Sequence, residues 1–104
     1  MSALIGTVLT LTGSAQNLHT ALVAASKVPA GTKYVKSVQL QPYSTNANPI
    51  FIGESAVATE TNALAYLTTG MTFALNGGDA GVVDLYSVYL IGTEGEKVHV
   101  ALLP

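Results

Sequence analysis

Leu85-Tyr86-Ser87-Val88-Tyr89-Leu90-Ile91-Gly92, then Thr93-Glu94-Gly95-Glu96, then Lys97-Val98-His99-Val100-Ala101-Leu102-Leu103: this C-terminal stretch decides how the chain is read. The first block is aromatic and β-branched and stops at a glycine. The last alternates, with Val98, Val100 and Leu102 on one face and Lys97 and His99 on the other. A period of two is the signature of a strand with one buried face, and three polar residues and a glycine between two such runs predict a hairpin.

Outward from that stretch the same pattern recurs. Leu4 to Thr12 reads as a strand ending at Gly13-Ser14. Lys33 to Gln41 follows the turn Pro29-Ala30-Gly31, with Tyr34, Val38 and Leu40 expected on one face and Ser37, Gln39 and Gln41 on the other. Pro42 closes it, because proline has no N–H for a ladder. Pro49 to Gly53 carries Ile50-Phe51-Ile52, and Met71 to Asn76 sets Met71, Phe73 and Leu75 against Thr72 and Ala74 before Asn76-Gly77-Gly78. Ala15 to Ser26 places Leu18, Ala21, Leu22 and Ala25 at helical spacing, with a strand over Thr20 to Ala25 as the alternative. Glu60 to Thr69, rich in alanine and leucine, suits a helical turn or a loop. Residues 49–54 echo residues 88–93, as equivalent strands of two facing sheets would. The expectation is one all-β domain over residues 1–104: a compact β-sandwich or barrel, jelly-roll-like, of short antiparallel strands with room for one short helix. Residues 1–26 are expected to form a partly extended N-terminal arm.

Composition narrows the function classes. Charged residues make up 10% of the 104, against about 25% in an average soluble domain. Hydrophobic residues make up 49%, and the mean hydropathy is +0.45. Such a surface favours burial between subunits. There is no arginine, only Lys27, Lys33, Lys36 and Lys97, and the net charge is −2, so nucleic-acid binding, which needs clustered cations, is not expected. Zero cysteines exclude disulfides and thiolate metal sites. Residues 1–26 carry no Asp, Glu, Lys or Arg, yet the longest strictly apolar run there, Ala21 to Ala25, is far below the ~20 residues that span a bilayer. No membrane partner and no export signal are expected.

The chemistry-bearing residues do not converge. His19 and His99 are the only imidazoles. Ser55, in Gly53-Glu54-Ser55-Ala56-Val57, lacks the second glycine of a nucleophile elbow. Glu94 and Glu96 read as solvated turn residues. Asp79 and Asp84 flank Gly81 without a calcium-loop pattern, and residues 77–81 lack the Lys-Ser/Thr of a phosphate loop. No catalytic residue, cofactor or metal is expected, and the chain does not read as an enzyme. Interface contacts are expected instead. Tyr86 and Tyr89, three apart in one strand, would point to opposite faces, and tyrosine suits a surface wet at one end. Tyr43, Asn46 and Asn48 bracket a polar loop after Pro42, and His99 faces away from the buried valines beside it.

Three segments carry a resemblance: Val35-Lys36-Ser37-Val38, then Asn46-Ala47-Asn48-Pro49-Ile50-Phe51-Ile52-Gly53, then Asp84 to Gly92. In this order they resemble a group of small tailed-bacteriophage virion proteins, in which an Asn-started Ile-Tyr-Ile-Gly segment and an Asp-Leu-started Val-Tyr…Ile-Gly segment precede a closing strand. The likeness spans roughly residues 33–102. Leu67-Thr68-Thr69-Gly70 fits the turn such proteins often carry before their fourth strand, and the N-terminal third matches no motif. The resemblance implies a capsid decoration (cement) protein on the virion surface. It would be made in the host cytoplasm and bound to the major capsid protein and to copies of itself, as a trimer. A tail, fibre or receptor-binding component is the alternative.

Overall fold

Strand order follows from where the alternating runs find partners. The computed structural model describes residues 4–54, 63–76 and 83–103. They form β1 (Ile5–Thr10), β2 (Gln16–Asn17), α1 (Leu18–Ala24), β3 (Tyr34–Val35), β4 (Ser37–Pro42), β5 (Ile50–Gly53), β6 (Ala65–Leu67), β7 (Phe73–Asn76), β8 (Val83–Asp84), a 3-10 turn (Leu85–Ser87), β9 (Tyr89–Ile91) and β10 (Lys97–Leu103). The antiparallel pairs are mirror-related along the chain: β1 with β10, β2 with β9, β3 with β8, β4 with β7, and β5 with β6. The chain is thus one long hairpin doubled back on itself. Two further antiparallel contacts, β10 with β4 and β5 with β9, roll that hairpin into sheets ordered β1-β10-β4-β7 and β2-β9-β5-β6, with β3-β8 as a small ribbon. This is jelly-roll connectivity. Both four-stranded sheets are open, so the fold is a sandwich and not a closed barrel.

One core lies between the sheets. Val38, Leu40, Val98, Val100 and Leu102 of the first sheet join Ile50, Ile52, Leu67 and Leu90 of the second in a single buried cluster, closed at one side by Leu18 and Leu22 of α1. Burying each such side chain contributes about 1.5–3 kcal/mol. The helix forms where the sequence places Leu18 and Leu22 four apart. Asn17 caps it by accepting from the Thr20 N–H at 3.2 Å, and the chain leaves it through Ser26 at φ 60°. Among the described residues no polar or charged side chain is buried. Pro42 keeps its place in β4 at no cost to the ladder. Tyr43 N–H bonds to Lys97 O, so by antiparallel alternation Pro42 turns its nitrogen away from β10, toward a β7 that already stops at Phe73 opposite Leu40.

Several expectations need correction. Residues 85–92 are not one strand, because the Asp84 carboxylate accepts from Tyr86 N–H at 2.9 Å and from Ser87 Oγ at 3.3 Å and winds Leu85–Ser87 into a 3-10 turn. Tyr86 and Tyr89 therefore do not share a strand. Thr93–Glu96 is no hairpin: β9 belongs to one sheet and β10 to the other, where β10 already has β1 and β4 on either side. The block 33–41 bends at Lys36, which resets its phase, so Val35 is buried and Tyr34 exposed. Within Glu60 to Thr69, Ala65–Leu67 is a strand, and the echoing segments are hydrogen-bonded neighbours in one sheet, Phe51 opposite Ile91. Residues 5–26 are not an extended arm: β1 pairs along its whole length, and Leu9, Leu11, Leu18 and Leu22 lie in the core. A turn closes over residues 68–71, with Met71 N–H bonded to Thr68 O and Gly70 at φ +92°.

Candidate interaction surfaces

The six residues singled out from sequence fall mainly at two ends of the sandwich. Tyr34 and Tyr43 stand beyond opposite ends of β4, whose six residues span about 20 Å at ~3.3 Å each.

At the Tyr43 end, polar groups are turned inward. The Asn46 side chain behaves as an extra strand: its Nδ2 donates to Lys97 O at 2.6 Å and its Oδ1 accepts from Lys97 N–H at 3.1 Å. Glu96 accepts from Ala47 N–H at 2.6 Å and from Asn48 N–H at 3.2 Å, and Thr69 Oγ1 donates to Asn46 O at 3.0 Å. These bonds fasten the 44–48 loop onto the start of β10. Glu96 is therefore not the solvated turn residue expected; its partners lie about fifty positions away, where no local pattern signals them. The Tyr43 ring stacks on His99 with centroids 4.9 Å apart, and Lys97 Nζ stands 5.6 Å from the same ring. Tyr43, Asn46 and His99 thus come together, while Asn48 contributes its backbone.

At the other end, aromatic rings are turned outward. His19 Nε2 donates to the Ala30 carbonyl at 2.9 Å, and its ring lies 4.3 Å from that of Tyr86. Asn17 Nδ2 donates to Tyr86 O at 2.8 Å and fixes the 3-10 turn on the helix start. Lys33 Nζ sits 5.1 Å from the Tyr34 ring, 5.6 Å from the Tyr86 ring and 3.9 Å from Asp84 Oδ2. Tyr34 foremost, then Asp84 and Tyr86, hold the Lys33 ammonium above its ordinary pKa of 10.5. Tyr34 and Tyr86 remain 52% and 44% exposed, enough for a partner to cover both. Lys33, Tyr34 and His19 were not singled out as contacts from sequence. The β3–β8 pairing, Tyr34 opposite Asp84, brings Lys33 and Tyr34 to Tyr86, and the seating of the α1 start on the 3-10 turn brings His19 there.

Tyr89 belongs to neither end. It lies half-buried on the outer face of the second sheet, opposite Asn17 and Gly53. Its neighbours on that face, Phe51 and Tyr66, have ring centroids 5.5 Å apart. Tyr66, expected in a loop, is on β6 and 42% exposed. That face carries no charged side chain along β2, β9, β5 and β6, whereas the outer face of the first sheet presents Lys97, His99, Gln39 and Gln41.

Among the described residues no group of three His, Asp or Glu side chains is placed to hold a metal, and no helix is long and apolar enough to cross a membrane. Ser55 and Asp79 lie outside the described residues. The fold and these surfaces define a small all-β protein of jelly-roll connectivity with exposed aromatic side chains. No protein-family model matches the chain, and neither a curated protein nor a solved structure matches it.

Proposed function

We propose that this chain is a virion structural protein: a capsid decoration protein that binds between capsomers of the major capsid protein, assembles with copies of itself and performs no catalysis. The observation that carries the reading is the strand order β1-β10-β4-β7 over β2-β9-β5-β6, the jelly-roll connectivity that recurs in capsid and lectin domains. A fold alone hosts many functions, so composition and site add weight. Charge is sparse and two aromatic patches are open to partners. The polar side chains at the Tyr43 end are spent on holding a loop and not on gathering an acid and a base. Purified protein added to capsids that lack it should co-sediment in a fixed ratio to the major capsid protein. Protein left wholly in the supernatant defeats the reading.

A second reading, a receptor-binding component of the virion, draws on one observation. Tyr34 and Tyr86 expose rings that share the Lys33 ammonium, beside the polar groups of His19 and Asp84, an arrangement suited to stacking on a sugar face. Binding to cell-surface glycans that disappears in Tyr86→Ala, without capsid binding, favours that reading over decoration.

A further inference from the structure

Free strand edges are templates for other chains, and proteins that stay monomeric blunt them with lysine, proline, bulges or short length. The open edges here differ in that respect. Among the described residues β2 has two residues, β6 three and β7 four, whereas β1 has six. Among the described residues β1 has one neighbour, β10, and its register runs unbroken from Ile5 opposite Leu102 to Thr10 opposite Lys97, so no bulge twists the edge away. No charge and no proline lies anywhere in residues 4–12.

The ladder shows which groups face outward. Just past β1, Leu11 N–H donates to Glu96 O and Leu11 O accepts from Gly95 N–H, so Leu11 turns both backbone groups to the β10 side. Antiparallel alternation then turns Leu9, Thr7 and Ile5 the same way and leaves the N–H and C=O of Gly6, Val8 and Thr10 aimed at the open edge. The side chains of Val8 and Thr10 point to the sheet's outer face, where Gly6 also lies, with Val8 42% exposed.

We infer that β1 is an interface strand, and that two copies of this chain join antiparallel through β1 about a two-fold axis into one continuous sheet. The occupant is a second copy because β1 is complementary to itself. Opposed residues must share a face, so Gly6, Val8 and Thr10 meet only one another, inward residues meet inward ones, and an uncharged strand meets no like charge in its twin. The backbone groups then bond each other. This pairing replaces the threefold contact that the resemblance implies as the first contact between copies. It concerns the free protein and does not depend on the capsid reading.

Sedimentation velocity of the full chain, across a concentration series, tests it with the variant Val8→Lys, whose charge sits on the exposed face of the edge. The expected result is a dimer for the wild type and loss of the dimer in Val8→Lys, with both proteins folded. Amide exchange gives an independent check that needs no variant: the N–H groups of Gly6, Val8 and Thr10 should become slow as concentration rises. A wild type that stays monomeric with those amides fast, a trimer, or a dimer that survives Val8→Lys overturns the inference. Capsid co-sedimentation, measured separately, reports on the decoration role, so either idea can fail alone.

Discussion

The two ends of the sandwich are built from similar residues and put them to opposite uses. At the Tyr43 end, Glu96 and Asn46 spend their side chains on backbone groups, five bonds with Thr69 included, and fasten the 44–48 loop to β10. At the Tyr86 end, Asp84 caps its own turn, while Lys33, Tyr34, His19 and Tyr86 form a cluster whose two tyrosine rings face solvent. A polar or aromatic residue in a loop is therefore not a contact residue by type. What decides is whether the fold has already consumed its bonding groups. On that test the Tyr86 end is the more open to a partner, and the Tyr43 end offers mainly its stacked Tyr43–His99 pair.

Substitutions at either end test that contrast. The largest effect should come from the core that supports both ends. Leu40→Ala, at a fully buried site on β4, should cost about 2–5 kcal/mol in denaturant unfolding and loosen the two ends alike. Glu96→Ala should come next, at about 1–3 kcal/mol, because it removes the charged acceptor that two backbone N–H groups of the 44–48 loop share. Amide exchange at Ala47 and Asn48 should quicken while the Tyr86 end is undisturbed. Asp84→Ala removes a turn cap and a partner of Lys33, and about 1 kcal/mol is expected, with the Tyr86 ring losing its fixed position by NMR. Smallest is Lys33→Met. The raised pKa of Lys33 means that its contribution is complete below 10.5 and fades as pH climbs through the raised value. Urea unfolding of wild type and Lys33→Met should therefore differ slightly at neutral pH and converge in strong alkali.

The architecture was legible because it rests on period-two alternation. Val98, Val100 and Leu102 are buried with Lys97 and His99 exposed, and β5, β7 and β10 fall within their expected blocks. What misled was local. The apolar run 85–92 hides a side-chain cap at Asp84, and the bend at Lys36 resets the phase between Val35 and Val38. The turn at Thr93–Glu96 looks like a hairpin because sequence does not show that β10 is already flanked on both sides. The site was less legible than the fold. Tyr43 and His99 were expected as separate contacts and prove to be one stacked pair, while Glu96 and Lys33 matter through partners tens of residues distant. Two strand contacts explain this: β4 beside β10 brings Tyr43 and Asn46 to residues 96–99, and β3 beside β8 brings Lys33 to Asp84.

Whether this jelly roll decorates a capsid is decided by a pair of cryo-electron microscopy reconstructions of capsids lacking the protein, before and after its addition. The account predicts new density at the junctions between capsomers, sized for copies of a 10.7 kDa chain and fitted by the two four-stranded sheets. Maps that stay identical at saturating protein would contradict it.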